Sequence, residues 1–326
     1  PVELSLITSL YRAADHLPNY IANVHAVSGA LKEAGIGLEM VIVANDAQPE
    51  ERARLDLLQE VLADRAVLQI LHVPRESVYA SWNRGIAASA GRNLGIWNVD
   101  DARTAEALIE GVQRLNSGAG LVYFPYDVLR ALRVLGIPFY RRVHYPALPY
   151  DYETFTAAMR GASFILFSRN LFDRVGAFDE RSLISGDFEW FTRAADVTDF
   201  VRSEAHAGEF RLHGGNLSDS GNPLQAVEDN IVHMRRGAWN RVIPCDPDLM
   251  RENWRQWGAD GRDLPDAIAQ KLWDEGAADR WRAWQISQAQ KRRRTQRSEL
   301  VRAVPRWVIN RTGLRPLLAR LGVVKG

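Results

Sequence analysis

The sequence predicts an α/β chain built on a mostly parallel, doubly wound sheet. Three observations carry that expectation: short apolar runs alternate with stretches of helical spacing, the connections between them are brief, and several runs end in polar or acidic residues. Leu4-Ser5-Leu6-Ile7 reads as a first buried strand, followed by helical spacing from about Leu17 to Ala34. Met40 to Ala44 reads as a second strand, ending at Asn45-Asp46. A helix from Glu50 to about Ala63, a third strand from Val67 to Leu71 and a helix from about Ala80 to Ala90 come next. The following apolar run passes through Gly95-Ile96-Trp97 and is expected to end at two adjacent carboxylates, Asp100 and Asp101. Further on, Leu121–Phe124 and Ala162–Phe167 read as strands, Ser185 opens a helix, and Glu209–His213 reads as a last strand. Between them, the aromatic, proline-bearing stretch from Ile137 to Tyr152 has the length and composition of a functional loop. From Asn222 onward the pattern is helical, and seven of the ten tryptophans fall between Trp239 and Trp307.

At 326 residues, with 46% hydrophobic and 25% charged residues, the chain can bury a sizeable core. The single cysteine, Cys245, excludes an intramolecular disulfide and any multi-cysteine metal cluster. No apolar run reaches membrane-span length, and the first residues lack the charged-then-apolar order of a signal peptide, so a cytoplasmic protein is expected. The net charge of +1 hides an asymmetry. Eleven Lys/Arg and one acid, Glu299, lie between Lys291 and Gly326, which leaves the preceding 290 residues at a net −9.

Strands that end in acids deliver negative charge to the carboxyl edge of a sheet, where open α/β folds bind ligands. Asn45-Asp46 and Asn98-Val99-Asp100-Asp101 would face the same edge. Adjacent carboxylates there suit a hard divalent cation shared with substrate phosphates, Mn²⁺ or Mg²⁺. The competing reading is that Asp100 and Asp101 begin a turn and cap the helix starting near Thr104. Asp187 and Glu189 fall at a helix start, where the dipole favours carboxylates and where Asp187 can equally serve as a cap. His213 precedes Gly214-Gly215, within reach of the same edge. Neither GxxxxGK[ST] nor GxGxxG occurs, which argues against P-loop enzymes and dinucleotide oxidoreductases.

Taken in order, these pieces resemble the inverting, family-2-like glycosyltransferases with the GT-A fold. Thr8-Ser9-Leu10-Tyr11 is similar to that family's opening Pro-Thr-Tyr-Asn, and Asn45-Asp46-Ala47-Gln48 to its Asp-Asp-Gly-Ser. Asn83-Arg84-Gly85-Ile86 resembles its Asn-x-Gly-Ile helix, with Gly91 before the next strand, and Asn98-Val99-Asp100 stands on its Asp-x-Asp metal motif. Gly161-Ala162-Ser163-Phe164, Phe172 to Glu180 and Ser185 to Ala194 resemble the stretch before the catalytic helix and the helix itself. Arg211-Leu212-His213, with Asn216 and Ser218, resembles the closing strand and loop. The resemblance spans roughly residues 3 to 220. It departs from the family at Leu10, at Ala47 and at Asn98, where a neutral amide replaces the first acid.

The resemblance implies a GT-A fold with a helical C-terminal extension: a nucleotide-sugar-binding half over 1–101, an acceptor-binding, catalytic half over 102–221, and the extension over 222–326. It implies transfer from a nucleotide-diphosphate sugar to a glycan or lipid-linked acceptor, with inversion and metal assistance. Asp187 would be the catalytic base, and Ser9, Asn45, Asp46, Asn83, Asn98 and Asp100 would face the donor. Asp100, Asp101 and His213 would hold Mn²⁺ or Mg²⁺, and Glu189, Trp190, Tyr145 and Tyr150 would lie on the acceptor side. A catalytically inactive carbohydrate- or nucleotide-binding protein of the same fold is the alternative, and Asn98 is its support. In the tail, Leu300, Val304, Trp307 and Leu314 recur among arginines, a pattern suited to an anionic membrane surface on the inner face of a bilayer. The acidic body and the absence of a nucleic-acid-binding motif disfavour nucleic acid.

Overall fold

A computed structural model describes residues 1–134, 137–159, 164–212, 222–260 and 262–303. Its first half is the alternation read from the sequence: β1 (Leu4–Leu10), α1 (Leu17–Glu33), β2 (Leu38–Asn45), α2 (Pro49–Leu62), β3 (Val67–Val73), α3 (Val78–Ala88) and β4 (Asn93–Ile96). β1 pairs in parallel with both β2 and β4, and β2 with β3. After β5 (Ala102–Arg103) come α4 (Ala105–Asn116), β6 (Leu121–Tyr123), β7 (Tyr126–Val134), β8 (Ile137–Tyr145), α5 (Tyr152–Ala157), β9 (Ile165–Ser168), α6 (Arg169–Val175), α7 (Gly186–Ala195), β10 (Phe200–Arg202) and β11 (Gly208–Leu212). The main sheet runs β10-β6-β9-β4-β1-β2-β3, with β9 antiparallel to both of its neighbours. A smaller sheet runs β5-β11-β7-β8.

Strand alternation splits the interior into two cores, one on each face of the main sheet. Leu4, Leu6, Met40 and Ile42 pack under α1, α2 and α4, whereas Ile7 and Val41 face the other way, under α3, α6 and α7. Gly85 is what lets α3 lie directly on the strands: a Cβ there would sit 2.5 Å from Ile7 Cγ2. A third core joins Phe188 of α7 to α8 (Pro223–Arg235), α9 (Pro247–Asn253), α10 (Asp266–Trp273) and α11 (Ala277–Ala303). The C-terminal helices are thus packed onto the preceding part of the chain through α7.

Two expectations need correcting. β4 stops at Ile96, four residues short of Asp100, because Asn98 and Asp101 close a turn through the Asp101 N–H to Asn98 carbonyl bond of 3.1 Å. The long loop expected over Ile137–Tyr152 is half strand. Ile137–Tyr145 forms β8, antiparallel to β7 with Tyr126 opposite Tyr145, and only 146–151 remain irregular. Cross-strand pairing of aromatic and β-branched residues explains that preference. Among the described residues no helix is long and apolar enough to cross a membrane.

Candidate active site

In the order β3-β2-β1-β4 the direction of winding reverses between β1 and β4, and a crevice opens beyond their carboxyl ends. Its floor is pinned. The Trp97 N–H donates to Ile7 O at 2.9 Å, and the Thr8 hydroxyl donates to Trp97 O and bonds the Tyr20 hydroxyl, both at 2.7 Å. Trp97 is fully buried and its indole N–H holds Asp101 O at 3.1 Å.

On the β1–β2 side lies a broad, open depression of about 670 Å³ lined by Tyr11, Arg12, Asp46, Ala47, Gln48, Pro49 and Arg52. Asp46 is exposed, with its backbone at φ 43, the left-handed region that aspartate tolerates better than most residues. Buried Glu51 shapes the rim by accepting the Ala13 and Gln48 N–H groups at 2.6 and 2.9 Å. The Arg75 and Arg12 guanidiniums lie 4.7 and 5.2 Å from the Tyr11 ring centre. Asn45, by contrast, is buried and turned inward. Its amide donates to Ser81 Oγ at 3.0 Å and, at 3.4 Å, to Ser9 Oγ, and its carbonyl accepts the Glu76 N–H. Asn83 likewise staples α3 to the segment before α7, bonding Phe178 through both its N–H and its carbonyl at 2.9 Å.

On the β4 side the crevice deepens into a cavity of about 350 Å³. Asn98 and Asp187 both line it, with Trp82, Trp190, Phe188 and Phe210, so two residues 89 apart in sequence share one space. Asp187 stands in the first turn of α7. Burial pushes its carboxyl up to about 6, against the Phe188 N–H (2.8 Å) and Tyr79 hydroxyl (3.3 Å) that favour the ionised form; the Asp229 charge adds to the rise. The Tyr79 ring reaches this place only because residue 186 is glycine: a Cβ there would sit 2.7 Å from the ring. The one proton of the Tyr79 hydroxyl is shared with Ile184 O, 2.5 Å away.

The far wall comes from α8, which sequence reasoning left out of the site. Gln225, Asp229 and His233 line the cavity. Burial, reinforced by Arg241 and Arg236, pushes His233 down to about 4, so the imidazole is neutral; its Nδ1 is buried without a hydrogen-bond partner. One turn away, Glu228 is wholly buried and accepts the Ser182 hydroxyl and the N–H groups of Leu183, Ile184 and Ser185 at 2.6–2.8 Å. That carboxylate builds the entry to α7 and therefore positions Asp187. Adjacent acids at Glu228-Asp229, six residues after Asn222-Pro223 opens a helix, were the available sequence signal.

The remaining expected site residues divide. Asp100 is half-buried at the turn after β4. Asp101 is buried with both oxygens engaged, one by the Asn98 amide and one by the Arg211 N–H, each at 3.2 Å. Burial and then the Asp100 charge push its carboxyl well up, which suits an anchor of the turn better than a metal ligand. His213 lies outside the described residues. Trp190 lines the cavity, its indole N–H fixed to Gly176 O at 2.8 Å. Glu189 is tied to Arg193 by two 2.8 Å bonds, Tyr145 stacks on Tyr126 at 5.5 Å, and Tyr150 packs on Phe155 and Phe200; none of the three lines the cavity. Among the described residues, the expected oxygen ligands thus reduce to Asp100 and the Asn98 amide, a set compatible with Mg²⁺ or Mn²⁺, which need only one or two carboxylates beside substrate phosphates.

No family model matches the sequence, and no curated protein matches it. Solved structures do. The chain is similar to a mannosyltransferase, PcManGT from Pyrobaculum calidifontis, in complex with GDP-Man and Mn²⁺: 14% identity over 88% of this chain and 84% of that one, TM-score 0.52. It is also similar to residues 1–349 of S. aureus TarS in complex with UDP-GlcNAc, at 13% identity over 97% and 86% of the two chains, TM-score 0.51. At such identities the likeness speaks to architecture: the chain has a GT-A-like glycosyltransferase fold.

Proposed function

We propose that the chain transfers a sugar from a nucleotide-diphosphate sugar to a hydroxyl of a glycan or lipid-linked glycan, with inversion and with assistance from Mn²⁺ or Mg²⁺. The observation that carries this reading is Asp187, a carboxylate raised to about 6, sharing one cavity with Asn98 at the carboxyl edge of β4. The nucleotide sugars bound by the similar proteins support the donor class.

In this reading the base and ribose lie over Asp46 and the Tyr11 ring, in a wall that Ser9, Asn45 and Asn83 hold in shape. Asp100, with Asn98 beside it and His213 as its sequence-assigned partner, would hold the cation. Bound there, a divalent cation supplies neutralisation of charge on the departing diphosphate. The acceptor enters the cavity past Trp190 and the α8 wall. Asp187 takes the proton from its hydroxyl as the oxygen attacks the anomeric carbon from the face opposite the diphosphate, and a single displacement inverts that centre. A carboxylate near 6 is a stronger base than an exposed one and is still ionised at neutral pH. The basic segment from Lys291 is assigned to an anionic membrane surface, where a lipid-linked acceptor would be found.

Calorimetric titration of UDP, GDP and CDP, with and without Mn²⁺, into the wild type and Asp100→Ala tests the donor site. Metal-dependent binding of one nucleotide, lost in the variant, is the expected result. Absence of binding by folded protein would favour an inactive binding protein of the same fold, the reading that the uncharged Asn98 supports.

A further inference from the structure

We infer a second metal site, for a transition-metal cation of the zinc type, at Asp127, His144 and His206, independent of the donor crevice. The three come from separate parts of the chain. Asp127 lies on β7, His144 stands directly opposite it on β8, and His206 precedes β11. One ligand atom from each falls within 4.8 Å of the others. His144 Nδ1 is 2.9 Å and His206 Nε2 3.4 Å from the same Asp127 oxygen, Oδ1. Ligands on one tetrahedral ion are about 3.3 Å apart for bonds of about 2.0–2.1 Å, close to the His206 spacing from Oδ1; the shorter His144 contact would lengthen, and the two imidazole nitrogens, within 4.8 Å of each other, would close to that separation.

Three features mark this as a built cluster. His206 Nε2 is buried and makes no hydrogen bond, although a carboxylate oxygen lies 3.4 Å away. Its backbone is fixed on both sides: the Thr104 hydroxyl donates to His206 O, and the next residue's N–H donates to Pro125 O at 2.8 Å. The second Asp127 oxygen is taken by Arg142 at 3.3 Å, which also bonds Glu209, so Oδ1 is left turned to the two imidazoles. Outer partners of this kind commonly orient a ligating carboxylate.

The site faces away from the crevice. Phe210 of β11 lines the catalytic cavity, so its neighbour Glu209 points to the other face of the small sheet. Glu209 pairs in register with Asp127, which pairs with His144. The donor set differs as well. Two imidazoles and one carboxylate suit zinc and its neighbours, whereas the described residues assigned to the cation at the crevice, Asp100 and Asn98, are oxygen donors. Three protein ligands leave one coordination position for water. A cation here would clip the connection between β10 and β11 to the β7–β8 hairpin.

The test is calorimetric titration of Zn²⁺ into the untagged, chelator-treated full chain, without nucleotide. Wild type and Asp100→Ala should bind one equivalent alike. His144→Ala and His206→Ala should each weaken binding by more than the roughly 10–100-fold that loss of an outer partner costs. Zn²⁺ should raise the melting temperature of the wild type and not of His206→Ala, and Co²⁺ should give the visible absorption of a four-coordinate site in the wild type alone. His144 is exposed, so its variant should fold even if the other does not. Absence of one-equivalent binding, or binding that survives both substitutions or disappears in Asp100→Ala, would overturn the proposal. Because no donor is present, the outcome is separate from that of the nucleotide titration.

Discussion

Asp46 and Asp187 are both acids at the carboxyl edge of the sheet, but the protein surrounds them differently. Asp46 sits in an open depression, and its position is set by a strained backbone and a ring of cationic and aromatic neighbours. Asp187 is enclosed, bonded by Tyr79 and raised to about 6 by loss of water. Exposure suits recognition of a polar ligand that arrives and leaves. Desolvation suits a group that must accept a proton. On the proposed function, the difference teaches that binding and chemistry would be kept apart by solvation, the first on the β1–β2 side and the second against α7 and α8.

The sharpest way to break that division is Asp187→Asn. The amide keeps the shape but cannot take a proton, so transfer should fall by about 10²–10⁴-fold, while calorimetric binding of nucleotide stays as in the wild type. Turnover close to the wild type would remove Asp187 from the role. Next comes Glu228→Gln, which leaves at least one of the four inward-pointing donors facing an amide N–H. Unfolding in denaturant should show a loss of about 2–3 kcal/mol. Transfer by the folded fraction should drop too, because the entry to α7 is what places Asp187. Gly186→Ala is gentler. A Cβ at 2.7 Å must push the Tyr79 ring aside, and an activity loss of about tenfold, the size of a single displaced hydrogen bond to a charged group, should appear with nucleotide affinity unchanged.

Legibility followed the same division. The β1–α3 half repeats a strand–helix unit whose periods are local, so Met40–Ala44 and the Asn45-Asp46 strand end can be read without knowing what packs where. Asn83-Arg84-Gly85-Ile86 is equally readable as a contiguous motif, although Gly85 answers to two strand side chains beneath it, Ile7 and Val43. The β4 end is only partly local. The turn at Asp100-Asp101 is closed locally, but the Asp101 side chain that anchors it is held by the Arg211 N–H, 110 residues away, which the linear pattern does not contain. The α8 wall is harder still. Gln225, Asp229 and His233 have ordinary helical spacing, and only the packing of Phe188 against Val227 and Ile231 reveals that they close a cavity. Asn45 illustrates the converse: its type and place signal a ligand contact, yet every bond of its side chain points inward.

The finest test concerns the pH dependence of turnover, because two substitutions around Asp187 should act in opposite directions. Asp187 must be ionised to accept the acceptor proton, so the rate should fall as pH drops through about 6. The Tyr79 hydroxyl stabilises the ionised carboxylate, and Tyr79→Phe removes that donor; the acidic limb should move to higher pH. The Asp229 charge destabilises it, and Asp229→Asn should move the limb to lower pH while its amide oxygen still accepts from Ser185 and Gln225. Each shift should be a few tenths of a pH unit to about one, equivalent to at most about 1.4 kcal/mol. A general disturbance of the cavity would lower the rate at every pH without moving the limb. Opposed shifts of the limb therefore separate tuning of one carboxylate from damage to its surroundings, and shifts in the same direction would mean that some other group sets the profile.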